Sequence, residues 1–387
     1  MLIELHMIQN FAPSNLNRDD TGAPKDCEFG GVRRARISSQ CIKRSIREAF
    51  DKQSLLSPEE MAVRTKIVPE RVLEEMGTDF EKEEAKKVIE IALESIGLEV
   101  KEDGKTEYLI YLGNDAIKKI SKICRENWEE LSKSVQARDK KSSGKKGKKS
   151  AKEFVSKEIR NDVLEILDGS KAADLALFGR MLADIAANNI DASSQVAHAI
   201  STNKVSMEFD FYTAVDDLQP REETGAGMMG TVEFNSACFY RYSNIDLSQL
   251  VENLGGDEKL ARKTVEAFIR ASAMAIPTGK QNSFAAQNPP SFIMAVVREK
   301  GGPVNLANAF ECPVRKGKDD GLVIPSIQAL DSYWKNFTDM YGEYGVKVKA
   351  ASRLGDKPKL EGLKIKPVSL DKLLKTVMDN ISFAKGV

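Results

Sequence analysis

The sequence predicts an α+β fold in which a ferredoxin-like sheet is interrupted by a long helical insertion. Three observations carry this expectation. Outside residues 51–187 the elements read as strand, helix, hairpin, helix, strand. Within 51–187 the apolar residues recur at helical spacing instead. The 387 residues, at roughly 150 per domain, leave room for two to three domains or for one domain with large insertions.

Composition narrows the class. An apolar fraction of 41% beside 26 glycines suits a globular chain and neither a disordered nor a fibrous one. The longest apolar run, Phe292 to Val297, is six residues, against the roughly 20 of a membrane-spanning helix. No basic stretch followed by an apolar core opens the sequence, so a cytoplasmic protein without membrane contact is expected. The five cysteines are odd in number and form no CxxC pair, which argues against a disulfide framework or a cysteine zinc site. With only His6 and His198 beside them, no metal and no cofactor is expected. The 58 basic and 58 acidic side chains cancel, so only their distribution is informative.

Leu2 to Ile8 alternates Ile3, Leu5 and Met7 with Glu4 and His6, which predicts a half-buried first strand. Asn10 to Gly31 is rich in Asn, Asp, Pro and Gly and reads as loop, followed by an extended run from Val32 to Ile37. Ser38 and Ser39 then stand where an N-cap belongs, and Ile42, Ile46, Ala49 and Phe50 complete an amphipathic helix over 38–50. The helical stretch carries periodic sets such as Val88, Ile89, Ala92, Leu93 and Ile96, and Ile117, Ile120, Cys124, Trp128 and Leu131. Inside it, residues 138–152 hold eight basic residues and one acid, a composition for a solvated tether. Strand signals return at 205–215 and 229–242 around a glycine-rich tip with Gly225, Gly227 and Gly230. A helix over 257–275 stopped by Pro277, a loop to Pro290, a strand over 291–298 and a helix over 325–337 follow.

The chemistry concentrates between Gly30 and Arg47, where Arg33, Arg34, Arg36, Lys43, Arg44 and Arg47 occur without a single acid. On a helix starting near Ser38, residues Gln40, Lys43, Arg44 and Arg47 share one face. The hydroxyl and free amides at the helix start favour phosphate. An isolated basic helix is as readily a solvated face; the arginine-rich strand leading into this one favours a polyanion. The 138–152 tether suits either a solubilising linker or salt-sensitive phosphate contacts. Phe209, Phe211, Tyr212, Met228 and Met229 on the hairpin are either core residues or groups that stack on bases. Asp19-Asp20 and Asp216-Asp217 are carboxylate pairs, but neighbours on an extended chain point to opposite sides, so neither pair alone holds a metal. His6 and His198 have no partner near them in sequence that would make a nucleophile and base, and no P-loop or GxGxxG is present.

The string SNLNRDDTGAPKDCEFGGVRRARISSQCIKRSIRE, with HAISTNKVSMEFDFYTAVDDLQ, GTVEFNSACFYRYSNIDLSQL, GKQNSFAAQNP, NAFE and PSIQAL, resembles the CasC family. That family is the repeated backbone subunit of type I-E Cascade, a CRISPR surveillance complex. The likeness runs in order from Leu2 to about Trp334 and is weakest in the helical region. It implies an RNA-recognition-type palm at 1–50, 188–204 and 239–387, helical fingers inserted at 51–187 and a β-hairpin thumb at 205–238, although the aromatic RNP signature is missing.

The resemblance further implies copies stacked head to tail along CRISPR RNA, beside other Cascade subunits, with target DNA recognised by pairing to the guide. The family's guide-contacting positions fall here on Arg18, Lys25, Ser38, Gln40, Lys43, Arg44 and Arg47, with Lys280 and Gln281 as further contacts. Base flipping by the thumb is implied for Phe211, Tyr212 and Met229, with Met181 on the palm side. Backbone subunits of type III complexes, which are related, cut RNA with a loop aspartate and a divalent cation. Asp19 and Asp20 lie in the corresponding loop, so a metal-dependent RNA nuclease is the alternative to a non-catalytic scaffold. A generic single-stranded RNA chaperone is a third reading.

Overall fold

In a computed structural model, the chain is described over residues 1–142, 151–167, 172–181, 189–214, 228–317 and 320–383. It opens with β1 (Leu2–Ser14), β2 (Asp26–Phe29), β3 (Val32–Ile37) and α1 (Ser39–Lys52). There follow β4 (Ala62–Thr65), α2 (Val68–Met76), α3 (Lys82–Ser95), β5 (Ile110–Gly113), α4 (Ala116–Glu126), α5 (Trp128–Ser142), α6 (Lys157–Ile166) and α7 (Ala173–Phe178). Then come β6 (Ser194–Val196), β7 (Ala199–Ser201), β8 (Glu208–Ala214), β9 (Met228–Asp246), α8 (Leu247–Asn253) and α9 (Glu258–Met274). The last elements are α10 (Gln281–Phe284), β10 (Phe292–Arg298), α11 (Val323–Tyr341), β11 (Val346–Arg353) and α12 (Leu370–Asn380). Two compact units result, one of Met1–Leu55, Ser194–Leu247 and Val265–Val387, the other of Leu56–Ser193 and Ser248–Thr264.

The first unit is built on an antiparallel sheet in the order β11-β10-β1-β9-β7-β3-β2. Its central four strands, β10-β1-β9-β7, have the 4-1-3-2 order of a ferredoxin-like fold once α1 and α9 are counted as the two crossover helices. Strand β1 runs to Ser14, past the expected end at Ile8, with a shift of register against β9 between Phe11 and Ser14. Leu5 and Met7 of β1, Ile42 and Ile46 of α1 and Ser272 of α9 line one small cavity on the helical face of the sheet.

The opposite face is also covered, which differs from the half-buried strand that alternation predicts. Ile8, Tyr240, Tyr242, Phe292, Met294 and Val296 pack there against Phe310 and against Ile327, Leu330 and Trp334 of α11. The polar residues of β1 are buried with them. Glu4 accepts from Arg298 Nε at 2.5 Å, from Tyr242 at 3.2 Å and from the Val304 amide. Tyr240 Oη receives the Leu306 amide at 3.0 Å and shares a hydrogen bond of 2.9 Å with His6 Nδ1.

Burial, then the nearby Arg298, pulls the His6 pKa down to about 3. The unfolded chain takes up this proton below about pH 6.5 while the folded chain does not. The stability His6 confers is therefore complete above about pH 6.5 and is lost at about 1.4 kcal/mol per pH unit as pH falls toward 3. His6→Asn, whose amide can accept or donate and does not titrate, is expected to flatten the acid limb of a stability–pH curve. Equal limbs in wild type and variant would refute this.

The second unit closes helices α2 to α6 around Val72, Ile89, Leu93, Ile120, Leu131 and Val163, of which Ile89, Leu93, Ile120 and Leu131 are in the sets that helical spacing selects. Phe80 stacks on Trp128 with ring centroids 4.1 Å apart. Of the basic tether, Arg138 lies in α5 and pairs with Glu94 at 2.7 Å, whereas 143–150 lie outside the described residues.

Candidate nucleic-acid interface

The β2–β3 hairpin turns through Gly30 and Gly31, both at positive φ (61° and 70°), which L side chains rarely adopt. A Cβ on Gly30 would also meet the Glu311 carbonyl. The three arginines of β3 then take different roles, which composition does not distinguish. Arg33 is exposed and pairs with Asp26. Arg34 is buried, and its guanidinium donates to five carbonyl oxygens: Phe29, Ser201, Thr202, Phe310 and Glu311. Arg36 remains half-exposed, donating to the Asp26 carbonyl at 3.1 Å and to His198 Nδ1 at 3.1 Å. The basic block thus contains one structural arginine.

The Asn- and Asp-rich loop between β1 and β2 is stitched to the start of α1. Asn17 accepts the Ser38 amide on its side chain at 2.8 Å and the Lys25 amide on its carbonyl at 2.8 Å. The Arg36 amide donates to the Lys25 carbonyl at 2.9 Å. Arg18 pairs across the loop with Pro24. These bonds hold Arg18 and Lys25 on the loop that abuts the β3–α1 junction.

Ser38 is the N-cap of α1, its hydroxyl accepting from the Cys41 amide at 3.3 Å, and the first turn holds no acid. The positive end of the helix is therefore not neutralised by its own side chains. Gln40 and Arg44 are exposed; Arg44 pairs with Glu48 at 2.9 Å, and Glu48 also meets Lys52 at 3.0 Å. Lys43 and Arg47 lie one turn apart, half-buried. Burial pulls the Lys43 pKa below its ordinary value.

Asp19 accepts from the Thr21 hydroxyl at 2.8 Å and from the Thr21 and Ala23 amides at 2.9 and 3.0 Å. The Thr21 hydroxyl first, together with the amides of Ala23, Thr21 and Gly22, holds its pKa below the usual carboxylate range. This carboxylate organises its own turn. Asp216 and Asp217 lie outside the described residues, and among the described residues no group of three or more His, Cys, Asp or Glu is placed to hold a metal ion.

Strands β8 and β9 form a ribbon with both faces of β8 exposed. The register sets Phe211 opposite Thr231 and Thr213 opposite Met229, so Phe209, Phe211 and Met229 share one face. They are 66%, 62% and 64% exposed. Tyr212 turns to the other face, where its ring lies over Gly230 and occupies the space a Cβ would fill. Phe211 and Tyr212 therefore do not act from one side, and Phe209 joins the exposed set instead. The ribbon tip, 215–227, with Gly225 and Gly227, lies outside the described residues, as does the Met228 side chain.

The ribbon base is fastened to the basic loops. Buried Asn15 donates from Nδ2 to the Glu233 and Gly22 carbonyls, both at 2.9 Å. Phe234 packs on Phe284 of α10 at 5.6 Å between centroids. In the α10 loop Lys280 adopts a left-handed conformation (φ 50°), and a Cβ on Gly279 would meet the Asn15 and Leu16 carbonyls. Gln281 directs its amide into its own loop, donating to the Pro277 carbonyl at 2.9 Å. Met181, exposed, belongs to the second unit, where Arg180 pairs through its backbone with Ile190.

In RNA-recognition sheets, aromatic residues on the two central strands stack bases. Here His6, Tyr240 and Tyr242 hold the central-strand positions and lie beneath the α11 layer, which leaves the loops and the α1 edge as the open surface.

An RNA-recognition-type palm with a basic edge and a projecting ribbon is thus the class that fold and site define. The family model for CT1975-like proteins, Cas_CT1975, matches residues 3–376. The chain belongs to that family of CasC-like backbone subunits. Over 98% of its length it is similar to 99% of a chain from a CRISPR RNA-guided surveillance complex, pre-nicking, with TM-score 0.83 and 29% identity. A second such chain, from a CRISPR RNA-guided surveillance complex, is covered over 100% of its length by 98% of this one, with TM-score 0.74 and 25% identity. No curated protein matches the chain. Among the described residues no helix is long and apolar enough to cross a membrane.

Proposed function

We propose that the chain is a non-catalytic backbone subunit of a type I-E Cascade complex that polymerises along CRISPR RNA, kinks it at regular intervals and presents it for pairing with target DNA. The observation that carries this reading is the convergence of Arg18, Lys25, Arg36 and the acid-free start of α1 on one loop-and-helix edge, with an apolar ribbon fastened to the same loops. Such contacts suit phosphates and 2′-hydroxyls and carry no base preference. Phe209, Phe211 and Met229 supply the wedge that separates one base from the next, with Met181 as a further flipping contact and Lys280 as an outlying grip. That Asp19 Oδ1 accepts three hydrogen bonds from its own turn gives this carboxylate a structural role, which supports the scaffold over the nuclease. In this reading the palm comprises 1–50, 188–204 and 239–387, the fingers 51–187 and the thumb 205–238, although Ser248–Thr264 fall in the second compact unit; other Cascade subunits sit at the ends of the stack.

The test is a denaturing gel of end-labelled, guide-length RNA incubated with protein and Mg²⁺ and then probed with a footprinting reagent. Intact RNA with evenly spaced reactive positions is expected. Fragments made by the protein that vanish in Asp19→Asn or Asp20→Asn would overturn the scaffold reading in favour of a nuclease; irregular protection would overturn it in favour of a chaperone. Replacing Phe209, Phe211 and Met229 together by Ala is expected to erase the periodic reactivity while RNA stays bound, since stacking contributes about 1–3 kcal/mol per base and phosphate contacts remain. Periodic reactivity that survives the triple variant would show that the ribbon is not the wedge.

A further inference from the structure

We propose that His198 is a hydrogen-bond donor to the ribose-phosphate backbone of the bound RNA, acting through Nε2–H; the inference rests on the RNA-binding reading above and adds a residue to it. The guanidinium of Arg36 can only donate, and its Nη1 lies 3.1 Å from His198 Nδ1. The Ser39 amide, likewise only a donor, points at the same nitrogen at 3.4 Å. With two donors aimed at it, Nδ1 is the unprotonated acceptor and the ring proton sits on Nε2. The ring is exposed. Its charged neighbours are Arg36 on β3 and Lys25 on the preceding loop, and the Ser39 amide opens α1 beside it. Burial first, then these two cations, hold the imidazole pKa below its ordinary value, so the ring is a neutral donor between two positive charges.

A phosphate that engages the Arg36 guanidinium draws it off Nδ1, which frees that nitrogen for a second proton and lessens the repulsion that Lys25 and Arg36 exert on it. RNA binding then takes up a proton as pH falls, and affinity for RNA rises on the acid side of neutrality through His198. The signal is invisible in sequence because Arg36 and His198 are 162 residues apart.

The experiment measures binding of labelled guide-length RNA at fixed salt to wild type, His198→Ala and His198→Gln, at about pH 7.5 and about pH 6.0. Gln keeps an amide N–H near the Nε2 position and does not titrate. At the higher pH, Ala is expected to bind about five- to tenfold more weakly and Gln within about twofold of wild type. On lowering the pH, wild type is expected to gain affinity and Gln is not. If Ala fails to fold, judged by its circular dichroism, the comparison of wild type with Gln across pH decides. Variants that match wild type at both pH values would overturn the role of His198 alone. Wild type that does not bind RNA at all would overturn the proposed function and this inference with it.

Discussion

Arg34→Met is expected to remove cooperative folding of the first unit, or to lower its stability by several kcal/mol. Methionine fills much of the same space but donates nothing, and five carbonyl oxygens on three separate stretches of chain lose the guanidinium together, although the Thr202 carbonyl keeps a second donor, the Val314 amide at 2.8 Å. Each buried group left without a partner costs about 1–3 kcal/mol, and whole domains are stable by only about 5–15 kcal/mol. Arg34→Lys, which restores a charge but not the planar fork, is expected to recover only part of the loss. Thermal unfolding followed by circular dichroism checks both. A methionine variant melting within a few degrees of wild type would show that water or neighbouring amides satisfy those carbonyls.

The second large effect concerns binding. Lys43→Glu with Arg47→Glu is expected to weaken RNA affinity by roughly a hundredfold or more for every sequence alike, because on the proposed function two phosphate contacts are exchanged for two repulsions. The slope of log affinity against log salt is expected to fall by about 1.4, at about 0.7 per contact for a single strand. Filter binding with several unrelated RNAs across a salt series reads both quantities. Loss confined to some sequences, or an unchanged salt slope, would mean that this face of α1 does not meet phosphates.

Much of the first unit was legible because its signals are local. Ser38 before an apolar set at helical spacing marks the start of α1, Pro277 marks the stop after α9, and Phe292 to Val297 marks β10. Long-range burial was not legible. Glu4 and His6 alternate with apolar neighbours as residues on a wet face do, and the helix that covers them begins more than three hundred residues later. Arg34 looks like Arg33 and Arg36 until the carbonyls of Ser201 and Phe310 arrive. Within the ribbon, the adjacency of Phe211 and Tyr212 already implies opposite faces, but only the register with β9 shows that Phe209 and Met229 side with Phe211. The short strands β6 and β7 carry too few residues for any periodicity to show.

The covered sheet has a consequence for what such a subunit can carry. Trp334 and Phe310 occupy, from within the same chain, the layer where a nucleobase would otherwise stack on Tyr240 and Tyr242. A platform already filled by its own protein offers no surface on which that sheet could favour one base over another. On the proposed function each new guide can then be housed by the same unaltered polypeptide, and a repertoire of targets rewritten in nucleic acid while its holder stays fixed.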